Sequence, residues 1–197
     1  MNYTKLKDIK KVYFGYDEIS KTLGIRAESA KVSANRYVRQ GILLRVKRNI
    51  YILRDRWDGM MREERFAIAN ITQVPSYVSL MTALDYYEIT TQAQRDFIES
   101  VAVKRTKVVN ISDTVLNFTK VGKGLYFGFV KEKDFFIATP EKAFLDAMYL
   151  MSLKRYSFDL SSIERDKLDM AKIKAIAGKF PKRTKEALKK YGYITKA

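Results

Sequence analysis

The first 53 residues carry apolar positions at helical spacing, followed by two short apolar runs. Leu6, Ile9 and Val12, for example, fall on one face of a helix. Gly24 and Gly41 each follow a periodic segment, where glycine ends helices because it adopts the left-handed conformation easily. The elements predicted here are a helix over 4–12, an extended segment over 13–16, helices over 17–23 and 26–40, and strands over 42–47 and 50–53.

The third predicted helix has one apolar and one polar face. The face expected to be buried carries Ala27, Ala30, Ala34, Tyr37 and Val38, whose small residues permit close packing. The opposite face carries Arg26, Ser29, Lys31, Ser33, Asn35, Arg36 and Arg39, with Val32 among them. Short polar side chains and arginine reach base edges in the major groove of DNA, which is wide enough for an α-helix. We therefore predict these seven polar and basic residues as DNA contacts.

A basic turn joins the two predicted strands. It consists of Lys47, Arg48 and Asn49, and asparagine suits a hairpin because it tolerates positive φ. The order helix, strand, helix, turn, helix and hairpin is that of a winged helix-turn-helix. In that arrangement Lys47 and Arg48 reach phosphate or the minor groove. Some winged helices bind protein instead, but the basic residues of the helix and the wing favour DNA.

The rest of the chain mixes both kinds of element. Residues 54–59 are polar with one Trp and predict a linker. Further elements are predicted as helices over 60–72, 78–87, 139–153 and 181–191, and strands over 98–103, 107–111, 115–120, 125–130 and 135–138. The predicted fold class is α+β: a winged helix-turn-helix domain over 1–56, followed by a mixed α+β C-terminal domain over 57–197 with a basic helical tail.

Positive charge is concentrated at the two ends of the chain. Of the net charge of +16, residues 1–53 and 171–197 contribute equally, and residues 54–170 are neutral. Two basic segments around a neutral body indicate localised contacts with a polyanion. On the last helix, Ala187, Leu188 and Tyr191 predict a narrow apolar stripe. The remaining positions, either phosphate contacts or a solvated face, are Lys182, Arg183, Lys185, Lys189 and Lys190.

The composition excludes several kinds of chemistry. The chain has no Cys and no His, which excludes disulfides, thiolate or imidazole metal sites and histidine-based triads. Glycine-rich phosphate motifs are absent. Glu141, Lys142 and Asp146 resemble a nuclease triplet only superficially, because Lys142 directly follows Glu141 and both open a predicted helix. We predict no enzyme activity, no metal and no cofactor.

The location predicted for the chain is the cytoplasm, without membrane association. The longest apolar runs are too short to cross a bilayer, and no apolar stretch follows the N-terminus as in a secretory signal. The absence of cysteine fits a reducing compartment.

Three blocks of sequence resemble the AbiEi antitoxin family of type IV, abortive-infection toxin–antitoxin systems. The similarity covers nearly the whole chain in the family's order, although the family wing usually has Gly where this chain has Asn49. The blocks are Gly41 to Tyr51, Tyr77-Val78-Ser79-Leu80 with Ala83-Leu84, and Ala138-Thr139-Pro140-Glu141-Lys142-Ala143-Phe144-Leu145-Asp146.

The resemblance implies a repressor that binds repeated operator sites upstream of its own operon, as a dimer or cooperatively. It also implies a separate nucleotidyltransferase-like toxin, opposed typically without a stable complex, and a C-terminal domain that carries most of the antitoxic function. The basic tail would then be phosphate contacts or an antitoxic surface. This chain lacks the Gly-Ser and paired-aspartate pattern of such toxins.

Four functions remain open on the sequence alone. They are a DNA-binding repressor of antitoxin type, an antitoxin that neutralises a toxin by direct binding, a solitary winged-helix regulator, and a nucleic-acid-processing enzyme that uses carboxylates.

Overall fold

The computed structural model describes residues 2–195, which divide into two units. The first unit contains the residues up to Ile68 together with Ile111–Asp113, and the second contains Ala69–Asn110 and the residues from Thr114 onward. The ends of the predicted domain ranges, residue 1 and residues 196–197, lie outside the described residues. The α+β class is confirmed.

The first unit consists of helices on both sides of a hairpin in the chain. Its elements are a 3₁₀ helix over Asn2–Asp8, α1 (Tyr16–Leu23), α2 (Ala27–Arg39), β1 (Leu43–Lys47), β2 (Ile50–Leu53), α3 (Arg54–Asp58) and most of α4 (Arg62–Thr72). The strands β1 and β2 are antiparallel, and Phe14 pairs with Tyr51 of β2 through backbone hydrogen bonds of 3.0 and 2.9 Å. The first helix was predicted over 4–12, but the 3₁₀ helix observed there ends at Asp8.

The core of this unit is formed by side chains from the 3₁₀ helix, α1, α2, β1 and β2. Ala30 and Ala34 of α2 are fully buried with Ile19 of α1, so their small size permits close packing as predicted. Ala27 is exposed, contrary to the prediction, because it is the first residue of α2.

Residues 54–59 are not a linker. Arg54–Asp58 forms α3, and Trp57 is fully buried, with its Nε1 donating to Asp113 Oδ1 at 3.4 Å within the first unit. Burial of the large Trp57 ring stabilises the folded segment, and a solvated linker would leave the ring in water. Burial of this side chain therefore decides the conformation of the segment.

The second unit contains a mixed six-stranded sheet in the order β5-β6-β4-β3-β8-β7. Pairs β4–β6 and β3–β8 are parallel, whereas β3–β4 and β7–β8 are antiparallel. The strands are β3 (Ser76–Val78), β4 (Phe97–Ala102), β5 (Lys107–Ile111), β6 (Thr114–Lys120), β7 (Phe129–Glu132) and β8 (Phe135–Ala138). The helices are α5 (Leu80–Tyr86), α6 (Pro140–Ser152), α7 (Met170–Ala177) and α8 (Lys182–Lys190), with 3₁₀ turns at Lys123–Leu125, Leu160–Ser162 and Arg165–Lys167.

Two predicted elements of this unit are wrong in part. The helix predicted over 78–87 begins only at Leu80, because Ser76–Val78 is a buried strand between β4 and β8. A short apolar run does not distinguish a buried strand from a buried helix. The strand predicted over 125–130 is a 3₁₀ turn followed by β7, separated by Gly128 with a φ of 71°.

Candidate nucleic-acid interface

The outward face of α2 presents most of the residues predicted to contact DNA. Arg26, Ser29, Lys31, Arg36 and Arg39 are exposed, and Ser33 and Asn35 are half-buried. Consecutive residues of an α-helix lie about 100° apart, so Lys31 and Ser33 occupy opposite flanks of this face. Val32 lies between the flanks and is 68% exposed. The arginine guanidinium at position 36 lies 5.3 Å from the centre of the Tyr37 ring.

The N-terminus of α2 has no side-chain cap. Arg26 is the N-cap residue, and its side chain makes no capping hydrogen bond. This agrees with the sequence, where arginine stands in place of the Ser, Thr or Asp that usually caps such a helix.

Arg45 connects the hairpin to α2, and the sequence prediction did not include it. Its guanidinium donates to Asn35 Oδ1 and lies 5.7 Å from the centre of the Tyr51 ring. The side-chain oxygen of Asn35 is thereby engaged in a hydrogen bond within the protein. The sequence signal for Arg45 was the alternation of apolar and polar residues along β1, where it stands between Leu44 and Val46. In the structure Arg45 is exposed and these two neighbours are buried.

Two tyrosines extend this network to α1. The Tyr51 hydroxyl donates to the Tyr16 hydroxyl at 3.1 Å, and the two rings lie 5.7 Å apart. Burial raises the pKa of Tyr51 above its ordinary value, so its hydroxyl stays protonated. The chain Asn35–Arg45–Tyr51–Tyr16 therefore links α2, both strands of the hairpin and α1.

The hairpin turn is held against the start of α1. Asn49 has a φ of 58°, as the sequence predicted for this turn, and its Oδ1 accepts a hydrogen bond of 2.7 Å from the Tyr16 backbone N–H. Gly15 packs closely beside it, because a Cβ there would lie only 3.0 Å from two Asn49 oxygens. Lys47 is half-buried and Arg48 is exposed, so the tip presents the basic charge.

We expect Asn49→Ala to lower the free energy of unfolding by about 2 kcal/mol, since it removes one hydrogen bond and places alanine in the left-handed region. Urea unfolding monitored by circular dichroism measures the change. Asn49→Asp is the matched control and should remain near the wild type, because it keeps the acceptor and tolerates positive φ. An alanine variant as stable as the aspartate variant would contradict this role of Asn49.

The basic tail forms a second candidate surface, on α8 of the second unit. Lys182, Arg183 and Lys190 are exposed, whereas Lys185 and Lys189 are half-buried. Lys189 also lines a cleft of about 610 Å³ with Arg165 and Lys174.

The apolar stripe predicted for the last helix is wrong at Tyr191, which is 42% exposed. Leu188 is fully buried as predicted, and Thr184, one helical turn before it, is fully buried as well. The hydroxyls of Thr184 and Ser152 lie 3.2 Å apart, so a hydrogen bond lets this polar side chain serve as a buried contact.

A buried polar cluster in the second unit unites two distant parts of the chain. Lys142 Nζ forms an ion pair with Asp146 Oδ1 and donates to the Tyr77 hydroxyl at 2.7 Å. The Tyr77 and Ser79 hydroxyls donate to Asp146 Oδ2 at 3.0 and 2.9 Å. All four side chains are fully buried. The sequence prediction considered Lys142 and Asp146 only as a possible nuclease site and did not pair them with β3.

The environment of this cluster does not suit catalysis on a substrate. Burial raises the pKa of Asp146 and lowers that of Lys142, while their ion pair opposes both shifts. Tyr77, Phe127 and Phe180 place aromatic rings within 5.5 Å of Lys142 Nζ. A Cβ at Gly128 would lie 3.0 Å from the Lys142 side chain, so the lysine stem fills the space beside that glycine. The four side chains are therefore enclosed, and their polar groups are paired with one another.

Glu141 also has a structural environment. It lies in the first turn of α6 and is only 5% exposed, and its Oε1 accepts a hydrogen bond of 3.4 Å from the Asp169 backbone N–H. Among residues 2–195, no group of three or more acidic side chains could hold a metal ion.

No family model matches the chain, and no curated protein sequence matches it. Within the part of the chain that the structure describes, no helix is both long enough and apolar enough to cross a membrane.

Proposed function

We propose that the first unit is a winged helix-turn-helix that binds duplex DNA, and that the protein is a transcriptional regulator. The observation that carries the proposal is the arrangement of α1, α2 and the β1–β2 hairpin, with Phe14 bridged to Tyr51 of β2 by two backbone hydrogen bonds. In a winged helix-turn-helix of this kind, α2 is the recognition helix and the hairpin is the wing. The wing then contacts the backbone or the minor groove through Lys47 and Arg48.

The distribution of charge supports duplex DNA as the partner. Arg26, Lys31, Arg36 and Arg39 project from α2, and Arg48 is exposed at the tip of the hairpin. Lysine and arginine on the exposed face of a recognition helix favour contacts with the phosphates beside a groove. The Asn35–Arg45 contact fixes the hairpin relative to the helix, so both elements can approach the duplex in a set orientation.

We further propose a repressor of AbiEi antitoxin type, located in the cytoplasm, that is not an enzyme. The supporting observation is that two blocks carrying this resemblance meet in the buried cluster, through Tyr77 and Ser79 on one side and Lys142 and Asp146 on the other. By this resemblance the protein binds its own operator, alone or cooperatively on repeated sites. A nucleotidyltransferase-like toxin would be its genetic partner.

Removing one basic side chain from α2 tests the proposed function. We expect Arg36→Ala to weaken binding to the DNA upstream of its gene by about 1–3 kcal/mol, or roughly fivefold to 150-fold. Fluorescence anisotropy with labelled duplex measures the affinity. Lys131→Ala, an exposed cation on β7, is the matched control and should bind like the wild type. Equal loss in both variants would contradict specific recognition by α2.

The salt dependence of the same binding tests the tail. Changing Lys182, Arg183 and Lys185 together to Gln should flatten the log–log salt slope by up to about 2–3, since each lost phosphate contact contributes about 0.9. Sequence preference should not change, because phosphate contacts carry no sequence information. An unchanged slope would contradict phosphate contacts by α8. Loss of protection against the toxin in that case would assign α8 to an antitoxic surface.

A further inference from the structure

Val32 is a large apolar side chain at the centre of the outward face of α2. It is 68% exposed, whereas Ala30 and Ala34 on either side of it along the chain are fully buried. Valine is also a weaker helix former than the charged residues around it, because its branched side chain loses rotamer freedom. Neither packing nor helix stability therefore accounts for valine at this position.

The neighbours of Val32 differ between the centre and the flank of the outward face. Glu28 and Arg36, four residues before and after Val32, are exposed and lie about 40° to either side of it, and the exposed Arg39 lies about 20° away. Lys31 lies on the flank, about 100° from Val32. A helix seated in the major groove would hold the flanking Lys31 toward a backbone, and Val32 and Arg36 at the centre of the face toward the bases.

We infer that Val32 contacts the 5-methyl group of a thymine and thereby selects thymine at one position of the DNA site. This inference rests on the proposed DNA-binding function. The thymine methyl is the apolar group that base pairs present in the major groove, and an aliphatic side chain has no donor or acceptor to read the other edges.

Arg36 fixes where this thymine stands in the site. Residues four apart on a helix have Cβ atoms roughly 5–6 Å apart, and successive bases rise about 3.4 Å along a strand. Arginine pairs with the O6 and N7 atoms of guanine through two hydrogen bonds. The thymine selected by Val32 therefore lies one or two base steps from a guanine read by Arg36.

Uracil substitution tests the contact, because uracil lacks the methyl group and keeps every hydrogen-bonding group of thymine. The full chain first selects its preferred sequence from a random duplex library, and each thymine of that sequence is then replaced by uracil in turn. At one position the wild type should bind about fourfold more weakly, the effect of losing one buried methyl group of about 0.8 kcal/mol.

Variants assign the effect to the side chain. Val32→Ala should bind the thymine and uracil duplexes equally, whereas Val32→Thr keeps one methyl group and should still distinguish them. Met61→Ala, which truncates another side chain that is 68% exposed, is the matched control and should retain the wild-type discrimination.

Two results would overturn the inference while leaving DNA binding intact: equal affinity of the wild type for all thymine and uracil duplexes, or unchanged discrimination in Val32→Ala. If Val32→Ala also left every affinity unchanged, Val32 would face a protein partner. Failure to enrich any duplex would overturn the proposed function together with the inference.

Discussion

Replacing Lys142 with Met is expected to lower the free energy of unfolding by about 3–5 kcal/mol, because it leaves the Asp146 carboxylate buried without its cation. Both side chains are fully buried and form an ion pair between successive turns of α6. Methionine fills much of the space of the lysine stem, so the loss measures charge more than volume. Urea unfolding monitored by circular dichroism gives the difference.

A second substitution distinguishes the charge effect from simple damage to the core. Lys142→Met combined with Asp146→Asn should recover a large part of the lost stability, because the neutral amide oxygen still accepts from Tyr77 and Ser79. Asp146→Asn alone should destabilise, since it leaves the buried ammonium without its counter-charge. If the double variant is no more stable than Lys142→Met, the cost arises from packing and the electrostatic explanation is wrong.

The same double variant separates a structural role of this cluster from a functional one. The four side chains contact one another, and the aromatic rings around Lys142 enclose them. If the cluster only holds β3 against α6, a folded double variant should keep whatever activity the second unit has. The resemblance of these blocks to the AbiEi family would then reflect the requirements of folding.

Local signals explain which parts of the fold were predictable. The strands Ile50–Leu53, Lys107–Ile111 and Phe135–Ala138 have their predicted limits, because polar residues bound each apolar run. α2 extends over Ala27–Arg39 within the predicted range, and Gly41 with a φ of 71° follows it as expected. In these segments, the spacing of apolar residues and the residues that end each element decide the structure.

Contacts between distant residues explain what the sequence did not predict. Tyr77 and Lys142 are 65 residues apart, and no local pattern indicates that their side chains meet. The exposed fraction of Asn35 depends on Arg45, which lies on a different element. Trp57 stands among polar residues, so composition favoured a linker until the tertiary contact with Asp113 was known. Each of these features arises from tertiary structure, which overrides local preference.

Glu99 is expected to make the protein less stable as the pH rises toward neutrality. This β4 residue is 2% exposed, and burial raises the pKa of its carboxyl from 4.5 to about 7. Its Oε2 accepts hydrogen bonds from the Tyr156 hydroxyl at 2.8 Å and the Met81 backbone N–H at 3.1 Å, and these bonds partly oppose the rise. Between these two pKa values the native state binds a proton that the unfolded state has lost. The stabilisation is therefore complete below about pH 4.5 and is lost as the pH rises through about 7.

Glu99→Gln should remove this loss, because the amide is neutral at every pH and its oxygen still accepts from Tyr156 and Met81. The difference between the two pKa values corresponds to about 3 kcal/mol, so the variant should exceed the wild type by up to that amount at about pH 8. The two proteins should differ little at about pH 4. Urea unfolding across this range gives both curves, and their difference isolates Glu99 from the other carboxyl groups.

Tyr156→Phe provides the opposing control. The Tyr156 hydroxyl stabilises the charged carboxylate, so its removal should raise the pKa of Glu99 further and extend the loss of stability to higher pH. The double variant Glu99→Gln with Tyr156→Phe should again lack this pH dependence. If the wild type and Glu99→Gln lose stability in parallel between about pH 5 and pH 8, water reaches the carboxyl group and its titration does not control the stability of the sheet.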